Sequence, residues 1–592
     1  MYLKKSKQKN GRIYLSIAEG YYDRATKRTK TVNVKSLGYL DVLKKDYEDP
    51  IAFFTAEVER MNEEEAQKKA PTLLKIDMDE RLPIETKERK NFGYAAFSRL
   101  YHQLAIDKFI KNRQKYFKAD YDHNSILKLL VYARLLYPES KKKTFEEKRM
   151  FFEKFNFTLP DIYRSLKFFK KYKNGLMLWI HRHIKAEFGR NTDLVYYDVT
   201  NYYFEIDKED EMRRKGMCKE HKPNPIVQMG LFMDTKGIPI YYGLFSGNTN
   251  DSLTLTPMMN KILDDYELGR IIVVADRGVI SGDNIAQTIV NGNGYVFGYS
   301  VKRSTSEVKK YVLDQTDYRI YEDTGKTKNK CKTDDKKEVF KIKSKVTMRE
   351  IYVTDYTTGK KEKVEIDEKH VVFYSSKYAA KAKEERAEAI AKAREYVKNP
   401  SKYNHAQNYG AAKYIQNLKV DKDTGEILEE AKQYLRFDEE KLMEEEKYDG
   451  YYILATSELD VPDEEIKKIY RGLWKIEETF KVSKGEIQTR PIYLSRKDHI
   501  DAHFLTCFIA LVLERILEML LNYKYQATEI LESLERCSCS PSENNIYTFD
   551  FYNQTLKDIG DIVGIDFSRK YMPLGEIKKV IGETKKCSSK LK

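Results

Sequence analysis

The 592-residue chain has little cysteine, no apolar leader and no apolar run long enough to cross a bilayer. Six Cys in such a length exclude a disulfide framework. Cys537 and Cys539 form a C-x-C without a matching Cys or His pair, which argues against a structural zinc site. The thiols therefore read as free and the protein as cytoplasmic. The start, MYLKKSKQKNGRIYLSI, lacks the apolar core of a signal peptide. The most apolar segment, HFLTCFIALVLERILEMLL, is interrupted by Glu514 and Arg515, and its unbroken part is too short for a membrane span. It reads as a buried helix.

Aromatic residues, by contrast, are plentiful: 12% of the chain, with 45 Tyr, enough for a sizeable core. Charged residues make up 34%, and 107 Lys and Arg stand against 92 Asp and Glu, a net charge of +15. Where such an excess is clustered, it points to a polyanionic partner. The length allows several domains.

Residues 1–45 alternate polar and apolar side chains around NGR and AEG turns and predict a small, basic antiparallel sheet. Residues 46–190 begin with a charged linker containing a helix at 50–68, then turn helical. Within them the run Lys141, Lys142 and Lys143 is a candidate phosphate contact, although such a cluster is most often a solvated surface. At 191–302 the texture changes to three strands, a helix, a strand, a helix and a strand. That order predicts a mixed α/β sheet of the RNase H type. Residues 303–447 are rich in Lys and Glu and predict a mainly β insertion with one Ala-rich helix that stops at Asn399-Pro400. The core resumes at 448–520, and 521–592 form a C-terminal region that is a candidate for dimerisation.

Two carboxylates end apolar strands. In DLVYYDVT, the side chains of Tyr196, Asp198 and Thr200 share one face. An Asp there is costly to bury unless it is paired or binds a metal. IIVVAD ends in Asp276, followed by Arg277. One strand-end Asp more often caps a turn, but two in one sheet point to ligands set side by side.

A third carboxylate lies in YRGLWKIEETFKVSK, Tyr470 to Lys484, which reads as a single helix. Tyr470, Glu477 and Lys484 are seven residues apart, and seven steps of 100° return to within about 20° of the start. They share a stripe with Leu473 and Trp474, so Glu477 is expected to face inward. Three carboxylates suit Mg²⁺ or Mn²⁺, hard ions with oxygen ligands. Two such ions would serve phosphodiester chemistry.

The ordered set YYDVT, VVADRG and YRGLWKIEETFKVSK resembles the DDE transposases of bacterial insertion sequences. In particular it resembles the group with a Tyr-x₂-Arg-x₃-Glu-x₆-Lys signature, in the branch whose helix reads Y-R-G-L-W-x-I-E-x-x-F. The resemblance runs from about residue 1 to 520 and implies an RNase H-like catalytic core. It implies Asp198, Asp276 and Glu477 as the catalytic and metal-binding triad. Tyr470, Lys484 and Trp474 match signature positions expected to touch DNA. Leu473 stands where the signature has Arg. Arg471 lies about 120° from Glu477 on a straight helix, which leaves Arg277 or Lys475 as substitutes. Lys219, in the basic loop GMCKEHKPNP, is a further candidate DNA contact.

The implied activity is metal-dependent cleavage at transposon ends, with strand transfer into target DNA by a homodimer and no membrane involved. The alternatives are a nuclease of the same fold without strand transfer and a non-catalytic DNA-binding derivative. Two decoys are set aside. Gly325–Thr327 lacks the earlier glycine of a P-loop, since position 320 is Ile320. His181 and His183 have no carboxylate pattern around them.

Overall fold

A computed structural model of the chain describes residues 1–8, 11–23, 28–69, 79, 81, 83–220, 222–320, 339–355, 357–399, 409–419 and 433–586. The Gly325–Thr327 decoy lies outside them. Met1–Thr86 and Lys87–Lys592 form two compact units.

In the first unit, β1 (Tyr2–Lys7), β2 (Ile13–Asp23) and β3 (Arg28–Tyr39) form the expected antiparallel sheet in sequence order. Four consecutive residues of β2, Leu15 to Ala18, are buried, so both faces of this middle strand are covered there. Helix α1 (Pro50–Lys69) starts on Pro, whose missing N–H costs nothing at that position. The Asp49 carboxylate accepts from the amides of Ile51 and Ala52 at 3.0 and 3.1 Å, capping the first turn.

The second unit is built on a nine-stranded mixed sheet. Its strands are β4 (Leu194–Tyr203), β5 (Ile226–Met233), β6 (Pro239–Ser246), β7 (Ile272–Ala275), β8 (Gly294–Tyr299), β9 (Arg319–Ile320), β10 (Phe340–Thr354) and β11 (Lys361–Ser375). A separate hairpin, β12 (Ile415–Lys419) and β13 (Gln433–Phe437), precedes the last of the nine, β14 (Tyr451–Thr456). Across the sheet the order is β9-β10-β11-β14-β8-β7-β4-β5-β6. From β4 to β8 it has the RNase H arrangement: β5 and β6 antiparallel on one side, β7 and β8 parallel on the other.

Strand β7 reads IVVA and is buried over its last three residues, as a parallel central strand requires. Helices α2 (Leu159–Phe188), α3 (Leu255–Tyr266) and α4 (Gly282–Val290) pack on the unit's core.

The region expected as a β insertion departs from a free-standing domain. Its long hairpin β10–β11 joins the core sheet through β14, which pairs with β11 on one edge and β8 on the other. The rest includes α5 (Ser376–Lys398), which ends at Asn399 before Pro400, and α6 (Glu439–Glu446).

Residues beyond 520 fold back onto the start of this unit. Strand Ser538–Ser542 pairs with Lys90–Asn91, and the Asn91 amide donates to the Leu534 and Glu535 carbonyls at 2.8 and 2.9 Å.

The 470–484 helix is two helices. α7 (Asp463–Arg471) and α8 (Trp474–Lys484) meet at Gly472-Leu473, where the bonding tightens to i→i−3 steps. The cause is Tyr196. Its hydroxyl donates to the Ile469 carbonyl at 3.2 Å and fills the space beside Gly472, where a Cβ would lie 1.8 Å from it. Asp463 is the first residue of α7, and its carboxylate holds Arg319 at 2.7 Å and Lys369 at 2.9 Å. Behind α8 runs α9 (Lys497–Leu520), the expected buried helix, apolar almost all round. Among the described residues no helix is long and apolar enough to cross a membrane.

Candidate active site

The last register pair of β4 and β7 is Tyr197 with Ala275. One step further, Asp198 continues β4 and Asp276 follows the last residue of β7, and the two carboxylates are close enough for the charge of Asp276 to act on Asp198. Tyr196 shares the face of Asp198 and touches α7, so the α7–α8 pair lies over that face. Gly298 on β8 leaves the space this needs: a Cβ there would lie 2.5 Å from the Tyr470 hydroxyl and 3.2 Å from Asp276 Oδ1. The Tyr470 hydroxyl donates to Asp276 Oδ1 at 3.2 Å.

Asp198 is half-buried, and its carboxyl is pushed up to about 6. Burial is the main cause, and the charges of Asp276 and Asp251 add to it, while Lys219 and the Val199 amide oppose it. The Val199 amide donates to Asp198 Oδ1 at 2.7 Å. Asp276 and Glu477 are both exposed, so Glu477 opens to solvent instead of facing inward.

A cavity of about 1110 Å³ is lined by Asp276, Arg277, Tyr470, Arg471, Leu473, Trp474 and Glu477, together with residues of α5 and α6. Among the described residues no three Asp, Glu, His or Cys side chains converge on one point as ligands. The carboxylate oxygens of Asp198, midway along β4, and Asp276, just past the end of β7, are nonetheless hard donors on neighbouring strands, and their mutual repulsion suits a divalent cation.

Breaking the helix changes its phase. Arg471, expected to face away from Glu477, lines the same cavity. Leu473, in place of the signature Arg, is buried. Lys475 donates to the Thr235 carbonyl at 2.5 Å and is absent from the cavity wall. Arg277 is exposed on the wall, and Trp474 is 55% exposed.

Lys219 does not project from its loop as a free phosphate contact. Its ammonium donates to the Val199 carbonyl at 2.6 Å and faces Asp198 and Asp251. Lys484 is held by Glu220 at 3.3 Å, and Glu220 also pairs with Arg490. Burial lowers the Lys484 ammonium, with Glu220 opposing.

Lys141 requires a correction. It is buried, with Nζ 3.0 Å from His503 Nδ1, and burial followed by the charge of Arg134 pushes it down to about 7. It is no surface contact. Lys142 is exposed, and Lys143 pairs with Glu147 at 3.1 Å. His181 is buried and 3.2 Å from Arg190, which agrees with setting it aside as a metal ligand.

Sequence reasoning missed Asp251, Glu220 and Arg490. The signal for Asp251 is GNTND after β6, which offers both Asn250 and Asp251 as caps for the turn that follows. Asn250 takes that role, its Oδ1 accepting from the Ser252 amide at 3.1 Å, and Asp251 is left beside the Asp276 loop.

Two family models match. The transposase DDE domain covers residues 203–513, more than half the chain, and contains Asp276 and Glu477; it begins five residues after Asp198. The N-terminal domain of the IS1634 family transposases covers residues 3–72. The chain belongs to the DDE transposases. Among solved structures, a piggyBac transposase in a synaptic complex with hairpin DNA is similar over 76% of this chain and 82% of its own, at 7% identity and a TM-score of 0.32. No curated protein matches.

Proposed function

We propose that this DNA transposase cuts at the ends of its element and joins the freed 3′ ends to target DNA, with Asp198, Asp276 and Glu477 as its catalytic carboxylates. The observation that carries the reading is that Asp198 and Asp276 each directly follow the paired residues Tyr197 and Ala275 of two adjacent parallel strands, with Asp276 and Glu477 on the wall of one cavity. These three would hold Mg²⁺ or Mn²⁺, two ions in the full site, which activates an attacking oxygen and stabilises the leaving one. Tyr470 orients Asp276 through its hydroxyl. Lys219 offsets the charge on Asp198 and Asp251 until a cation arrives. Lys484 and Arg490 grip phosphate once Glu220 releases them. Trp474 and Arg277 meet DNA on the cavity wall, and Lys142 and Lys143 contact it further out. Residues 1–45 and the helices up to 190 bind the terminal inverted repeats, and a homodimer pairs the two ends.

The test is cleavage of the element's own ends in Mg²⁺. Glu477→Gln is expected to lose at least about a hundredfold in rate, and a variant that cuts like wild type sinks the triad. Joined products from a precut end and a plasmid separate a transposase from a nuclease that only cuts. Retained DNA binding without cleavage by the wild type would instead identify a non-catalytic derivative.

A further inference from the structure

Beside the main cavity lies a second space of about 710 Å³, lined by Arg277, Lys302, Arg303, Lys413 and Glu445 among others. The two share Arg277, Lys302, Lys413 and Glu445. Four cations thus face a single carboxylate. Glu445 Oε2 accepts from Lys302 Nζ at 2.9 Å, Lys413 Nζ at 3.1 Å and the Tyr414 hydroxyl at 2.9 Å. The donors come from two separate segments, the turn after β8 and the approach to β12, and they converge on one oxygen of α6.

Burial would raise the Glu445 carboxyl, but the bonds from Lys302, Lys413 and Tyr414 outweigh it and hold it down to about 2. Arg277 and Arg303 are exposed and hold no ion pair among the described residues. The Lys302 and Lys413 side chains are 45% and 41% exposed. Lysines so exposed gain little stability from such a pair. A non-bridging phosphate oxygen placed at Glu445 Oε2 would meet the same donors. The same arrangement recurs at Glu220, one carboxylate bridging Lys484 and Arg490.

We propose that Lys302, Lys413 and Tyr414, extended by Arg277 and Arg303, form a phosphate track for one DNA strand running from the carboxylates. Glu445 is its resident stand-in, displaced when a backbone phosphate arrives. This rests on the DNA reading above and adds a self-occupied state to it.

The test is fluorescence anisotropy with a fluorescein-labelled random duplex carrying a single-stranded 3′ tail. It uses the full chain in EDTA across a salt series, so that cleavage plays no part. Glu445→Gln is expected to bind about fivefold tighter. The Lys302→Ala/Lys413→Ala double variant is expected to bind more weakly, with the slope of log K against log salt reduced by about 1.5. Should the double variant unfold, Arg303→Ala carries the slope test, with an expected reduction of about 0.7. Unchanged affinity in Glu445→Gln, or an unchanged slope in a folded lysine variant, overturns the track while leaving the triad standing. A Glu477→Gln protein that still cuts overturns the triad and leaves the track standing. No binding by the wild type overturns both.

Discussion

Glu477 and Glu478 are neighbours in sequence and meet opposite surroundings. Glu477 opens into the cavity and has no ion pair among the described residues. Glu478 turns towards α9, 4.0 Å from Arg515, whose guanidinium also serves Glu514 at 3.7 Å and pairs with Glu518. At its mouth, the side facing the cavity, α8 carries one carboxylate, Glu477. Beneath it, Glu478 of α8 and Glu514 and Glu518 of α9 surround one internal cation, Arg515. Charge at the mouth is open to solvent, whereas charge beneath is enclosed by the chain's own residues.

That contrast is broken most forcefully at Arg515. Its side chain is 5% exposed, and Arg515→Met would leave Glu514 and Glu518 buried without their cation. The expected loss is about 3 kcal/mol in urea unfolding, the low end for a buried pair, because Glu514 is already protonated in the folded chain below about pH 8. A loss under about 1 kcal/mol would place the underside in the same class as an exposed pair.

Gly472→Ala comes next. Its Cβ would press on the Tyr196 hydroxyl and ring, costing about 1–3 kcal/mol and turning α8 relative to α7. Cleavage should fall along with the unfolding midpoint; an unaltered midpoint would mean that Tyr196 does not set the break.

A smaller effect is expected from pH. Burial, opposed by Arg515, raises the Glu514 carboxyl to about 8. The unfolded chain ionises near its ordinary 4.5 while the folded one stays protonated. This contribution to stability is therefore complete at low pH and declines as pH rises from about 4.5 to 8. Glu514→Gln should flatten that decline in a series of thermal melts, and an equally steep decline would remove Glu514 as its source.

The smallest effect belongs to the mouth. Glu477→Gln should move stability by no more than about 0.5 kcal/mol, and a larger loss would make Glu477 structural.

Much of this was legible in the sequence. Apolar runs ending in Asp198 and Asp276 marked both strands, because a strand buried on both faces has few other ways to read. The helix break was not legible. A lone Gly inside a helix costs only about 1 kcal/mol, and the hydroxyl that exploits Gly472 comes from Tyr196, far away in sequence. Lys141 reads as surface in KKK because its burial depends on His503, 362 residues on. Lys219 and Lys484 read as free DNA contacts because the groups that hold them are chosen by the fold. The insertion reads as a separate domain because strand alternation identifies strands but not their partners.

One consequence concerns β14. Six residue pairs, from Lys369↔Thr456 to Tyr374↔Tyr451, zip the hairpin to the strand on which the chain returns, and β14 is zipped in turn to β8. Swinging the hairpin away from the core would break a backbone ladder in the middle of a sheet. The hairpin is thus no hinged jaw. It is tied to the strand that carries Gly298, so the wall beside Asp276 and the hairpin form one continuous plate.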